Sequence, residues 1–394
     1  MIRMKNAEYL IGNAEIEKSP IPTFSEDACN LLRSYEAAIR RDREARAFPD
    51  VIAVGYWCRN ANIQSKKEAF GNTAGCVGRG LAFHITPGNI PVNFMFSYLF
   101  SLLAGNANIV RIPSKPFPQI GILLRILKQC LSDFPEIEKR TAFVSYPSSE
   151  DAITAEFCKE ADVRVIWGGD ETVRRIRAME AKPRCIDIAF ADRFSVAVLS
   201  GSAVENATDA ELARLAHAFY NDTYLMDQNA CSSPRLCLWT DESKTGKARF
   251  WNAVYLEARK RYQLQGALAV DKYTRLCEDV MDRDDLAGVL RMGNLLHVVT
   301  LSEVPQALSS LEGKGGYFYE CALTELSQLA RFLDSRVQTV GYFGMDAAAI
   351  RDAVVSLHLT GADRIVPIGS AMDIDSDWDG FDLIHTMSRR IVAN

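Results

Sequence analysis

None of the ten cysteines (positions 29, 58, 76, 130, 158, 185, 231, 237, 277 and 321) belongs to a C-x-x-C pair. Neither a zinc site nor a thioredoxin-like redox motif is therefore indicated, and no metal is expected. Most of these cysteines sit inside apolar runs, such as Cys58 in V-G-Y-W-C and Cys237 in R-L-C-L-W, as reduced packed thiols do in a reducing compartment. The N-terminal M-I-R-M-K-N-A-E-Y-L lacks the apolar core of a signal peptide. The longest apolar segment, 90–103, is interrupted by Asn93, Ser97, Tyr98 and Ser101 and is too short to span a bilayer. The reading is a cytoplasmic protein with no membrane span. A formal net charge of -5 gives no reason to expect nucleic acid as a partner. Low-complexity segments and internal repeats are absent as well. Histidine is scarce, with five in the chain, and no Ser/His/Asp or Cys/His arrangement emerges from the spacing.

What the chain does have is regular alternation. With 394 residues, 48% of them hydrophobic, it suits two domains or three. Residues 25–46 place Leu31, Leu32, Tyr35 and Ile39 at helical spacing, and Val51–Trp57 reads as a strand. The glycines at 71, 75, 78 and 80 precede a strand rather than follow one, so they make turns and not a dinucleotide fingerprint. From Leu81 onward, strands near 81–86, 107–112, 141–146, 163–167, 185–190 and 195–199 alternate with helical segments. The second half continues with helices near 209–220 and 244–262 and strands near 295–300, 317–320, 338–343 and 364–368. Such alternation predicts parallel α/β sheets covered on both faces, with a second α/β domain starting near residue 200. Ligands of these sheets collect at the carboxyl ends of the strands, where P-G-N, R-I-P-S and G-G-D fall.

Two residues stand out chemically. Cys231, in N-D-T-Y-L-M-D-Q-N-A-C-S-S-P-R-L, lies between a helix and a strand; small neighbours leave its sulfur open, and Pro234 prevents a helix from continuing. Nucleophiles are commonly displayed on such loops, although free cysteines are also among the most buried residues. Asn89, in H-I-T-P-G-N-I-P, presents a carboxamide on a turn held by Pro87 and Pro91, suited to an oxyanion; ordinary turn chemistry is its plainer reading. His217 lies on an apolar helix as a packed or capped side chain, and His84 in a strand beside the Pro-Gly-Asn turn.

Taken together, H-I-T-P-G-N-I-P, G-N-A-N-I-V-R-I-P-S, W-G-G-D-E-T, the cysteine loop and Q-T-V-G resemble the aldehyde dehydrogenase superfamily in order and spacing. D-Q-N-A-C-S-S-P and D-R-I-V-P-I-G…W-D-G-F-D-L-I are similar to the LuxC-type acyl-CoA reductases, which supply fatty aldehyde in bacterial luminescence. The resemblance implies an aldehyde dehydrogenase-like α/β fold. Residues 1–200 would form a Rossmann-like cofactor domain and 201–394 a catalytic domain, its tail returning to the first domain or to a partner subunit. It implies Cys231 as the acylated nucleophile, and an oxyanion hole formed by the Asn89 amide and the Cys231 N–H. Ile85, Thr86 and Pro87 would line the nicotinamide side. Gly168 and Gly169 would approach the pyrophosphate, and Glu320 would match a glutamate on the nicotinamide ribose. Trp378-Asp379-Gly380 would close the substrate tunnel or form an aromatic-anchored turn. The partners implied are an acyl-CoA or acyl-protein donor, an acyl-activating synthetase, and further copies of the chain joined through an exposed strand.

Two departures from the superfamily pattern sharpen this. Arg111 falls where a lysine lies near the adenosine ribose, and Ser114, followed by Lys115, falls where NAD-preferring members carry a glutamate. With no carboxylate to repel a 2′-phosphate and two cations close by, NADPH is the expected cofactor. Near I-A-F-A-D-R, Ala189 replaces the glutamate that activates water in oxidative members, which leaves the acyl-enzyme for hydride; Asp192 is close enough to substitute. The expected activity is NADPH-dependent reduction of an acyl thioester to an aldehyde through an acyl-cysteine. The alternatives are an NAD(P)-dependent aldehyde dehydrogenase, a non-reducing acyl-transfer relative, and a scaffold with an inert cysteine.

Overall fold

The computed structural model describes residues 7–393 apart from 89, 114, 242 and 305–307. The chain folds into two compact units, Met1–Ala191 with Ile374–Asn394, and Asp192–Asp373. Both are α/β units built on parallel sheets.

The first unit contains β1 (Glu8–Ile11), β2 (Cys76–Gly78), β3 (Leu81–Ile85), β4 (Ala107–Arg111), β5 (Thr141–Ser145), β6 (Val163–Trp167) and β7 (Ile186–Phe190). Six of these form a sheet in the order β1-β5-β4-β3-β6-β7, parallel except for β1. Every residue of β3, β4 and β6 is buried, because helices cover both faces. Ala82, Val110 and Val165 pack on one side with the helices Glu26–Arg41, Asn93–Ala104 and Pro118–Leu131. Leu81, Phe83, Ile109 and Ile166 pack on the other, against Asp151–Glu160 and Asp170–Arg177. The helix Asn93–Ala104 is apolar around its whole circumference, as a helix enclosed by other elements must be. Gly105 ends it at φ +93, where a Cβ would stand 2.2 Å from the Ile21 carbonyl.

The segment expected as a strand at Val51–Trp57 is a helix, Pro49–Trp57. Pro49 occupies its first turn, and Val51, Val54 and Trp57 recur on one buried face. A short run rich in valine and isoleucine does not distinguish a strand from a buried helix, and packing against Glu26–Arg41 decides.

The second unit contains β8 (Phe194–Leu199), β9 (Pro234–Trp239), β10 (Leu286–Met292), β11 (Leu296–Leu301), β12 (Tyr317–Ala322), β13 (Val337–Phe343) and β14 (Arg364–Pro367). They form a seven-stranded sheet in the order β10-β11-β12-β9-β8-β13-β14, with β10 alone antiparallel. Val196, Leu236 and Tyr319 point to one core layer, Ala197, Cys237 and Phe318 to the other.

After β14 the chain re-enters the first unit as β15 (Asp377–Trp378), β16 (Phe381–Asp382) and β17 (Ser388–Arg390). Asp379 and Gly380, at φ +57 and +78, make the two-residue hairpin turn between β15 and β16. Trp378 is buried in the core of this unit, so the W-D-G motif is an aromatic-anchored turn. The last strand, β17, pairs antiparallel with β2. Among the described residues no helix is long and apolar enough to cross a membrane.

Candidate active site

In the first unit the chain leaves β3 for β4 and β5, then crosses back to β6 on the other side of β3. The crevice between the ends of β3 and β6 is a topological switch point, where open α/β sheets take their ligands. Thr86, Pro87 and Gly88 follow β3 there, and Gly168 and Gly169 follow β6. Ile85 and Thr86 are buried, and the Thr86 hydroxyl donates to the Arg111 carbonyl (2.6 Å), tying the ends of β3 and β4 together. Arg111 is itself buried. Its Nη2 donates to the Tyr146 carbonyl (3.2 Å), and its guanidinium stands 4.9 Å from the Tyr146 ring centroid. Burial draws Arg111 below its ordinary value, Tyr146 opposes this, and the positive charge of Arg175 reinforces it. Arg175, from the helix after β6, was not singled out by the sequence and adds a second cation to this edge, although Asp151 pairs with it at 3.1 Å. Lys115 is exposed beside the Phe117 ring.

A Cβ on Gly168 would meet the Thr172 side chain at 2.9 Å, so the loop after β6 lies close against its own helix. That helix, Asp170–Arg177, carries Asp170 and Glu171 in its first turn, and Glu171 is drawn to Arg174 (3.1 Å). The edge thus combines a buried arginine, backbone held close by glycine and an accessible lysine, a set that fits a dinucleotide phosphate. Asn89 and Ser114 lie outside the described residues.

His84, beside this edge, is structural. Its ring is fully buried between the Ser97 hydroxyl (2.7 Å) and the Asn108 carboxamide oxygen (3.1 Å), and Trp167 Nε1 also donates to Ser97 (3.1 Å). Burial pushes its pKa down to about 4, against the Asn108 bond. The unfolded chain, with an ordinary histidine, then binds more protons than the folded one between about pH 4 and 6.5, so stability falls as pH falls through that window. The loss attributable to His84 approaches about 3 kcal/mol at its limit. Denaturant titrations at pH 7 and 5 should show a drop that is smaller in His84→Gln; equal drops in both proteins would refute this.

In the second unit the helix Asp209–Asp222, started by a Thr208/Glu211 capping box, delivers the chain to the cysteine loop. Asp227 and Gln228 both adopt left-handed conformations (φ +52 and +57), a strained pair for non-glycine residues. Fully buried Gln228 holds the strain. Its amide donates to the carbonyls of Pro234 (3.3 Å) and Tyr317 (3.1 Å), and its oxygen accepts the N–H groups of Gly316 (2.8 Å) and Tyr317 (3.2 Å). The Ser195 hydroxyl donates to the Cys231 carbonyl (2.8 Å), and the Ser233 hydroxyl to the Asp222 carbonyl (2.6 Å). The buried Asp222 carboxylate accepts the N–H groups of Gly369 (2.6 Å) and Ala371 (3.0 Å); burial pushes it up to about 7 despite them. The backbone around Cys231 is therefore pinned from β8, β12 and the segment after β14.

All ten cysteines are free, and seven are buried; Cys231 is partly exposed, with Cys185 and Cys277. Burial raises the Cys158 thiol to about 11 and Cys321 to about 12, which makes both poor nucleophiles. Asp192, at the start of the second unit, and Cys231 both lie within electrostatic reach of Arg235. Ala189, on β7, contributes only a methyl group.

Glu320 is an internal tie. Its carboxylate accepts Trp239 Nε1 (2.9 Å), Trp251 Nε1 (2.8 Å) and the Thr300 hydroxyl (2.9 Å), all from its own unit, and so leaves little for a ribose. His217 is more exposed than an apolar helix suggests and pairs with Glu257 at 2.8 Å. Among the described residues no cluster of His, Cys, Asp and Glu could hold a metal ion.

The architecture is that of the aldehyde dehydrogenases. Lactaldehyde dehydrogenase from Escherichia coli superposes with a TM-score of 0.63 at 13% identity, over 95% of this chain and 87% of that one. The family model described as acyl-CoA reductase (LuxC) matches residues 5–272, and the chain belongs to that family. A long-chain acyl-protein thioester reductase from Aliivibrio fischeri is 28% identical over 157 residues, 39% of this chain and 31% of that protein. Its counterpart from Photorhabdus laumondii is 23% identical over 306 residues, 74% of this chain and 58% of that protein. The chain thus spans about a third to somewhat over half the length of these relatives.

Proposed function

We propose that the protein reduces an acyl thioester, delivered as acyl-CoA or on a protein, to an aldehyde through an acyl group carried on Cys231. The observation that carries the reading is a partly exposed cysteine on a strained, multiply pinned loop, in a chain of the LuxC family. The Cys231 thiolate attacks the thioester carbon, its S–C bond forms, and the donor thiolate leaves with the electron pair of the broken bond. The Asn89 carboxamide and the Cys231 N–H would receive the charge developing on the carbonyl oxygen. A bound reduced nicotinamide supplies the hydride. With alanine at position 189 no carboxylate there activates water, so hydrolysis of the acyl-cysteine is slow. NADPH oxidation measured across a panel of acyl-CoAs, with aldehyde identified as product, tests the reading; carboxylate formed from aldehyde, with no turnover of thioester, would favour the oxidative alternative.

The cofactor reading rests on Arg111 and Lys115, with Arg175 nearby. NADPH is expected to bind at least about tenfold more tightly than NADH, the scale of one charge-assisted phosphate contact. Lys115→Ala should narrow that ratio in a binding titration; an unchanged ratio, or tighter NADH binding, contradicts the assignment. An acyl-activating synthetase as donor partner, self-association through an edge such as β10, and a cytoplasmic location complete the proposal.

A further inference from the structure

Ser195, fully buried on β8, lies where the ladder is broken on both sides. On β9, Pro234 faces Ser195 and Leu236 faces Val196, which leaves Arg235 as an extra residue. On β13, Val337 faces Phe194 and Val340 faces Val196, so Gln338 and Thr339 stand together opposite Ser195. Both neighbouring strands therefore bulge at this one position, and bulges recur beside active sites. Pro234 has no N–H to offer the ladder. The serine side chain makes the connection instead. Its hydroxyl accepts the Thr339 N–H (3.2 Å) and donates to the Cys231 carbonyl (2.8 Å). A hydroxyl suits this place because it can accept and donate at once.

The carbonyl it holds belongs to the central peptide of a turn. The Ser233 N–H donates to the Ala230 carbonyl (3.0 Å), which closes a β-turn over residues 230–233 with Cys231 and Ser232 at its corners. Neither corner residue has a positive φ, so the turn is not of type II. Types I and II differ by reversal of the central peptide, here the one that carries the Cys231 C=O and the Ser232 N–H. In a trans peptide these two groups point opposite ways, so holding the carbonyl also fixes the N–H. Among the described residues no hydrogen bond engages that N–H.

We propose that Ser195 is a positioning residue that locks the Cys231–Ser232 peptide against reversal, keeping the Ser232 N–H rather than the Cys231 carbonyl on the side of the turn away from β8. This rests on Cys231 being the nucleophile proposed above. Only its own Cα and Cβ separate the sulfur from that peptide. The direction of the peptide dipole is therefore felt by the thiolate and by the charge that develops as it attacks. A carbonyl oxygen turned to the same side would repel both.

Formation of the acyl-enzyme tests this on the full chain. The protein is mixed with an acyl-CoA in the absence of NADPH and quenched at intervals, and acylation of the Cys231 peptide is followed by mass spectrometry across thioester concentrations. Ser195→Ala should slow the limiting rate at saturation about tenfold or more, while the half-saturating concentration stays within about twofold of the parent. Val196→Ala controls for loosening of the sheet, because Val196 is the next residue of β8 and packs into the core. It should leave the limiting rate of the folded protein unchanged. A limiting rate in Ser195→Ala equal to that of the parent overturns the proposal. Equal slowing in Val196→Ala overturns it too, as does a loss confined to the half-saturating concentration. Should the alanine variant not fold, Ser195→Cys decides, because a thiol of similar size weakens both hydrogen bonds. Its limiting rate should fall severalfold, and the parent rate overturns the proposal. A parent protein that forms no acyl-enzyme marks failure of the proposed function instead.

Discussion

Cys231→Ala is expected to abolish NADPH oxidation with every acyl thioester, a loss of about 10⁴-fold or more, while cofactor binding stays within about twofold of the parent. The size follows from the role. A nucleophile that becomes covalently bonded to the acyl group has no substitute, because direct hydride transfer to a thioester would forgo the step that the enzyme divides in two. Sparing of cofactor binding follows from where the residues proposed for it lie: Arg111, Lys115, Gly168 and Gly169 belong to the first unit, Cys231 to the second. The buried cysteines offer poor alternatives, since burial raises thiols such as Cys158 and Cys321 and closes them inside the cores. Turnover retained above about 1% of the parent rate would remove Cys231 from the mechanism.

Gln228→Ala should damage both stability and turnover, and for one reason. The side chain spans the strained turn at 227–228, the carbonyl of Pro234 at the head of β9, and the Gly316–Tyr317 backbone at the head of β12. Truncation leaves two buried N–H groups and two carbonyls without these partners, at a cost of about 3–5 kcal/mol in total. The left-handed pair loses the contacts that hold it, so the loop relaxes and the cysteine three residues later is displaced; a misplacement of about 1 Å is worth roughly 10²-fold in rate. Gln228→Glu is the instructive partner. Its oxygens still accept the Gly316 and Tyr317 N–H groups, but the donor to the two carbonyls is gone, so it should fall between parent and alanine in denaturant midpoint. An alanine variant as stable and as active as the parent would show that the loop is held by something else.

The parallel sheets were legible because their strands are buried on both faces and read as short apolar runs, L-A-F-H-I and A-N-I-V-R among them. The helix before the cysteine announces itself through Thr208 and Glu211 at capping-box spacing. The partial exposure of Cys231 was legible for a local reason too, its small neighbours and the proline three residues on. What escaped depends on contacts made at a distance. Pro49–Trp57 has the composition of a strand, and only the helices packed around it make it a helix. The edge strand β10 escaped too: its residues alternate in exposure, but alanine, glycine and arginine among them weaken the hydrophobic signal. Glu320 looked like a ribose ligand because nothing near it in the chain reveals Trp239 and Trp251, 81 and 69 residues away, as its donors. Gln228 carries no motif at all; its importance appears only when β12, 89 residues later, is folded against it.

The most direct measurement is the mass of the protein after mixing with an acyl-CoA in the absence of reduced cofactor. The account predicts one acyl group per chain, located on the Cys231 peptide, with release of one equivalent of CoA and discharge as aldehyde once NADPH is added. An unmodified protein that nonetheless turns over, or an adduct on a different cysteine, would contradict it.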